Sequence, residues 1–130
     1  MTLSNFEDLP IWQKARELSK FVFNITNSGP VEKDFRFRDQ IRSSAGSVAD
    51  NIAEGFEREG NKEFIQFLYI AKGSCGETRS QSYRAFDNQY INNEQLDHLI
   101  EKTKEISIDI ANFIKYLKNS GLKGNKYKLI

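Results

Sequence analysis

Apolar residues recur at steps of three and four along four separate blocks of this chain, and that spacing limits the fold more than any other feature. Such steps put side chains on one face of an α-helix, whereas a half-buried strand alternates every second residue. The first block carries Ile11, Ala15, Leu18, Val22 and Ile25. Asp8 is a candidate cap, Pro10 suits a first turn, and Gly29-Pro30 stops the run. The second carries Phe37, Ile41, Ala45, Val48 and Ile52, with Asp34 as N-cap and Gly60 as stop. The third runs through Phe64, Leu68, Ala71, Cys75, Thr78, Ser82 and Ala85; Asn61 is its expected cap and Glu63 suits its N-terminal dipole. The fourth holds Leu96, Leu99, Thr103, Ile106, Ile110, Phe113 and Leu117, capped by Asn92 or Asn93 and ended by Asn119-Ser120-Gly121.

Four helices of about 18–28 residues with short links predict an all-α, antiparallel up-down four-helix bundle. Steps alternating between three and four match the left-handed seam of about 3.5 residues. The 130 residues suit one domain, 1–130. Its ends, about 1–6 and 120–130, are expected to be flexible. Glycines at 46, 73 and 76 each weaken a helix, which predicts close backbone approach of the second and third helices there. Apolar residues beyond the four seams include Trp12, Phe23, Ile65, Phe67, Tyr69, Ile70, Ile100 and Ile114. A helix apolar on several sides must be covered on several sides. Trp12, Phe23, Ile65, Phe67 and Tyr69 are therefore candidate oligomer-interface residues, and the finished particle is expected to be a homo-oligomer.

Charge and cysteine content remove several function classes. Lys and Arg total 19 against 18 Asp and Glu, for a net charge of +1, so a uniformly basic particle is excluded. The balance is uneven along the chain: eight basic and ten acidic residues precede Asn61, while eleven basic and eight acidic follow from it. One Cys and one His exclude an internal disulfide and an ordinary zinc site. The N-terminus lacks a basic start followed by an apolar run, and no stretch approaches the ~20 apolar residues that cross a bilayer. A cytoplasmic protein with no membrane partner is expected.

No motif dictates a reaction. Gly55 to Lys62 has neither the Lys spacing nor the preceding strand of a phosphate loop and reads as a helix-helix turn, though it sets Arg58 and Lys62 beside a helix N-terminus. Gly73-Ser74-Cys75-Gly76 lies in a helical pattern, which excludes a KH-type loop. Cys75 sits on the seam and reads as a buried thiol. His98, with Glu94 and Asp97, lacks the second Glu-x-x-His of a di-metal bundle. Asn51, Glu54 and Glu77 read as capping, cross-helix or solvated groups. No catalytic residue, metal or cofactor is expected, and the chain is not expected to be an enzyme. Lys72, Gly76, Arg79 and Tyr83 share one helical stripe. Cations beside an aromatic ring suit a phosphate backbone and a stacked base; a salt-bridged, solvated face is the alternative. Lys115, Lys118, Lys123, Lys126 and Lys128 form a second basic cluster.

Three runs carry a family resemblance: Phe6 to Leu9 with Ile11 to Ala15, Gln40 to Gly55 (QIRSSAGSVADNIAEG), and Glu63 to Glu77 (EFIQFLYIAKGSCGE). They resemble the bacterial four-helix bundle family named for 23S ribosomal RNA intervening sequences, of which the accessory protein of diversity-generating retroelements is a more distant relative. The resemblance extends from Phe6 to about Leu117; Ser43 stands where many members have a second basic residue. It implies a barrel-shaped homopentamer with no established catalysis and no cofactor. It also implies RNA or DNA, a reverse transcriptase or another protein as partner. Carried over by motif, Arg42, Arg58, Lys62, Lys72 and Arg79 are the nucleic-acid-binding candidates. The alternative function is a structural or protein-interaction scaffold with no nucleic-acid role.

Overall fold

The computed structural model describes residues 2–120 and 127–128, with side chains from Ser4 to Ser120. Four helices form a bundle: α1 (Pro10–Ile25), α2 (Phe35–Glu57), α3 (Asn61–Asp87) and α4 (Asn93–Ser120). Short 3-10 turns at Phe6–Asp8 and Pro30–Lys33 lead into α1 and α2. Thr2–Leu3 pairs with Tyr127–Lys128 over two residues, which leaves the class all-α. The ends expected to be flexible lie partly outside the described residues, as do Lys123 and Lys126 of the C-terminal basic cluster.

The expected seams of α2 and α3 are buried at every position, from Phe37 to Ile52 and from Phe64 to Ala85. The ends of the other two seams differ. Ile25 is only partly buried, and Thr26 takes the buried place beyond it. Its hydroxyl can be enclosed because it donates to the Val22 carbonyl at 2.7 Å. Near the end of α4 the buried residue is Ile114, not Phe113. Phe113 instead sets its ring edge against Phe64, with centroids 5.5 Å apart.

Two expected caps are replaced. Leu9, not Asp8, precedes α1, with Pro10 in the first turn. Gly60 precedes α3 at φ +88°, a conformation that suits glycine. The Asn61 amide is drawn away to donate to the Leu117 carbonyl at 3.1 Å, joining the start of α3 to the end of α4. Asn92 does cap α4, and with Gln95 it forms a reciprocal box: each side chain bonds the other's backbone N–H, at 2.8 and 2.9 Å. Asp34 caps α2 through the Phe37 N–H and also accepts the Tyr90 hydroxyl at 2.6 Å.

The glycine expectation is corrected. A Cβ on Gly73 or Gly76 would meet nothing within 4 Å, and one on Gly46 would meet only Ser19 Oγ of α1, at 3.9 Å. The close approach of α2 and α3 is at Gly55. A Cβ there would lie 2.6 Å from Phe67 Cβ and 2.9 Å from Phe64 Cδ1. Farther along, α2 and α3 meet through a polar seam. Ser74 donates to Ser47 at 3.0 Å, and Ser44 lies 2.8 Å from Thr78 Oγ1 and 2.6 Å from Gln81 Oε1. Small hydroxyl side chains both satisfy one another and allow close packing, which accounts for Ser44, Ser47 and Ser74.

Gly55→Ala is expected to lower stability by about 1–3 kcal/mol through overpacking. Gly73→Ala, in open space, is expected to raise it by about 1 kcal/mol. Denaturant unfolding measures both, and a neutral Gly55→Ala would contradict the close contact. Tyr90→Phe tests the α2 cap. The Tyr90 hydroxyl, then the Phe37 N–H, hold the Asp34 carboxyl below its ordinary range. A depressed carboxyl stabilises the fold above its unfolded pKa of about 4, and that contribution is lost as pH falls through the folded value. Acid titration of stability should show a smaller loss below about pH 4 in Tyr90→Phe than in the wild type.

Candidate nucleic-acid interface

The five candidate cations divide into two groups. Arg42 is a structural residue. Its Nε donates to Thr26 Oγ1 at 2.8 Å and its Nη2 to the Thr26 carbonyl at 3.1 Å. Its guanidinium also lies 4.4 Å from the Phe23 ring centroid. One α2 side chain thus satisfies the carbonyl end of α1 and covers an exposed aromatic ring. Arg58 is likewise engaged. It pairs with Glu54 at 2.8 Å and Glu63 at 3.7 Å, and its guanidinium sits 5.1 Å from the Phe67 ring. The side chains of Lys62, Lys72 and Arg79 make no hydrogen bond or ion pair among the described residues.

Lys72 and Arg79 lie seven residues apart, two turns along one side of α3. They are half-buried at their stems, while Tyr83 beyond them is 48% exposed. Their positive charge reaches the Cys75 thiol, but burial outweighs it and pushes that thiol up to about 11. Cys75 donates to the Thr103 carbonyl at 3.0 Å, so it is a packed group with little thiolate character.

The neighbouring carboxylates are turned elsewhere. Between Lys104 and Ser120, α4 carries two, Glu105 and Asp109, and both reach Lys14 of α1, at 2.8 and 2.6 Å. Hydrogen bonds donated to Asp109 and then to Glu105 raise the Lys14 pKa, and the same contact holds Glu105 below its ordinary range. Lys104, Ala111 and Lys118 form a stripe of α4 roughly 100–180° round the helix from those acids. Lys118 donates to the Tyr69 hydroxyl of α3 at 2.8 Å, which places that stripe on the α3 border. On α3 itself, Glu63 faces Arg58 and Glu77 accepts from Gln81. The α3–α4 border therefore carries Lys72, Arg79, Lys104 and Lys118, with Glu63, Glu77, Glu105 and Asp109 directed away and the exposed Glu101 one turn from Lys104.

The interface candidates also separate. Ile65, Trp12 and Phe67 are partly buried, and Ile65 and Trp12 pack against the core of their own chain. Trp12 sits edge-on to Phe6 at 5.1 Å. Phe23 and Tyr69 stay 48% and 50% exposed, joined by Phe35, Ile70, Tyr83 and Ile108. Ile100 is partly buried and Ile114 fully so, which shortens the surplus apolar surface. A groove of about 510 Å³ runs between α1 and α4, with Leu18 and Phe21 on its apolar side. His98 lines it, its ring 4.3 Å from that of Phe21. Among the described residues no group of three or more His, Cys, Asp or Glu side chains is arranged to hold a metal ion, and no helix is long and apolar enough to cross a membrane.

The sequence profile of the 23S rRNA-intervening sequence protein family matches residues 7–112, most of the chain. The chain belongs to that family. Among solved structures it is similar to a protein of unknown function from the S23 ribosomal protein family of Bacteroides thetaiotaomicron VPI-5482. The two are 25% identical with a TM-score of 0.74, over 81% of this chain and 95% of that one. A comparison with curated proteins found no match.

Arg42→Ala is expected to lower stability by about 1–2 kcal/mol, since it strips the α1 terminus of its cap. Lys72→Ala should change stability by no more than about 0.5 kcal/mol. Thermal or denaturant unfolding separates the two; equal effects would remove the structural assignment of Arg42.

Proposed function

We propose that the protein is a non-enzymatic, cytoplasmic, homo-oligomeric bundle whose α3–α4 border binds a nucleic-acid backbone, alone or as presented by a processing enzyme such as a reverse transcriptase. The observation that carries this reading is the unneutralised pair Lys72 and Arg79, with Lys104 beside them and the nearby carboxylates held by Lys14, Arg58 and Gln81. Cations position phosphates, and Tyr69 and Tyr83, both about half exposed, offer rings for stacking bases. The up-down antiparallel course assumed for the helices is supported by opposed contact order: Ser44 meets Gln81, while Phe56 meets Phe64.

Self-association supplies what one chain lacks. A net charge of +1 gives little long-range attraction, but a ring repeats the same cationic border in every subunit. Exposed Phe23, Phe35, Ile70 and Ile108 supply apolar surface for such contacts. The number five rests on the resemblance. The same apolar surface also favours the second reading, a protein-interaction scaffold without nucleic acid.

Light scattering is expected to give about five times the 15.0 kDa chain mass; a monomer at micromolar concentration contradicts the ring. RNA affinity should fall with salt, by roughly 0.7 in log K per log salt for each phosphate contact on a single strand. Lys72→Ala with Arg79→Ala should reduce that slope by about 1.4. Absence of binding at low salt overturns the nucleic-acid reading and leaves the scaffold.

A further inference from the structure

A second cationic site lies at the other side of α3, where its last turn meets the start of α2. Arg84 and Asn88 from the end of α3 line a cavity of about 310 Å³ together with Asp34, Arg36 and Gln40 from the start of α2. Neither the Arg36 nor the Arg84 guanidinium makes a hydrogen bond or ion pair among the described residues. The Arg84 guanidinium is held 5.2 Å from the ring centroid of Phe37, which is buried, so it has a fixed platform. Asp34 attracts Arg84, but its single charge offsets only one of the two guanidinia, and it forms no ion pair with either. Its Oδ1 accepts the Phe37 N–H and its Oδ2 accepts the Tyr90 hydroxyl, so both oxygens are engaged within the protein.

We propose that this cavity between the start of α2 and the end of α3 is a binding site for a phosphate monoester group, with Arg36 and Arg84 as its charged ligands and Gln40 and Asn88 as amide donors. A guanidinium presents a rigid fork of donors, and charge-assisted bonds to phosphate are about twice as strong as neutral ones. Two forks and two amides arriving from separate helices surround a tetrahedral oxyanion, whereas a planar carboxylate is satisfied by one fork. The volume is near the lower limit of small-ligand pockets, about 300 Å³, so it admits a phosphoryl group with a small pendant portion. The site does not depend on the Lys72 and Arg79 border. The same group is offered by a free small phosphate ester and by the 5′ end of a nucleic-acid strand.

Calorimetric titration of the full chain with inorganic phosphate tests the site, with amide chemical shifts locating it. Saturable binding is expected, with shifts at residues 34–40 and 84–88. Arg36→Ala, whose side chain makes no packing contact of this kind, and Arg84→Ala should each weaken it about tenfold. Lys72→Ala with Arg79→Ala should leave it unchanged, which separates this site from the RNA-binding border. Acetate should not displace phosphate. Competition between adenosine 5′-monophosphate and a 5′-phosphorylated oligonucleotide assigns the source, and either order of affinity supports the site. No saturable binding, unchanged binding in Arg36→Ala, or equal competition by acetate would overturn it.

Discussion

The contact of bare α2 backbone at Gly55 with Phe64 and Phe67 governs the rest of this bundle. A side chain there would have to occupy space 2.6 Å from Phe67 Cβ. Removing it lets the end of α2 and the start of α3 approach closely, and the register follows. Ser47 then falls opposite Ser74, and Ser44 opposite Thr78 and Gln81, so the buried hydroxyls find one another. Buried polar groups left unmatched would cost free energy, and a slip along the seam would unmatch them. The α2–α3 pair is thus held by an apolar contact near one end and a directional polar seam farther along.

That register also decides which way α3 turns its charges. With Phe67, Ser74 and Gln81 on the α2 side, Lys72 and Arg79 emerge toward α4. The choice made by α4 is complementary, because Lys14 of α1 gathers Glu105 and Asp109 and leaves Lys104 and Lys118 toward α3. A near-neutral chain therefore presents a cationic border without any excess of basic residues. Exposed ion pairs such as these contribute little to stability. Their effect here is to sort charge by face.

Much of this was legible in the sequence. The three-and-four spacing located all four helices and nearly all of the core, because burial along a helix repeats with the helical period. Chain spacing is silent about what stands opposite. Gly73 and Gly76 looked like contact points and face open space, while Gly55, at the end of a helix beside a turn, is the one pressed against aromatic rings. The resemblance nominated Arg42 and Arg58 alongside Lys72 and Arg79, and residue type alone could not separate them. Thr26, the Arg42 partner, lies sixteen residues away, and Arg58 finds Glu63 only across the α2–α3 turn. Phe113 and Ile114 are both apolar, so the local drift of the seam at the end of α4 required three-dimensional neighbours to decide. The pairing of Arg36 with Arg84 had the same origin, since the two come from different helices.

Ultraviolet cross-linking of bound RNA, followed by mass spectrometry of the attached peptides, tests the central claim most directly. Bases stacked along the α3–α4 border should attach at Tyr69 or Tyr83, the half-exposed rings beside Lys118, Lys72 and Arg79. Cross-links confined to Phe23 and the Arg42 end of the bundle would contradict the separation of structural from available cations on which the account rests.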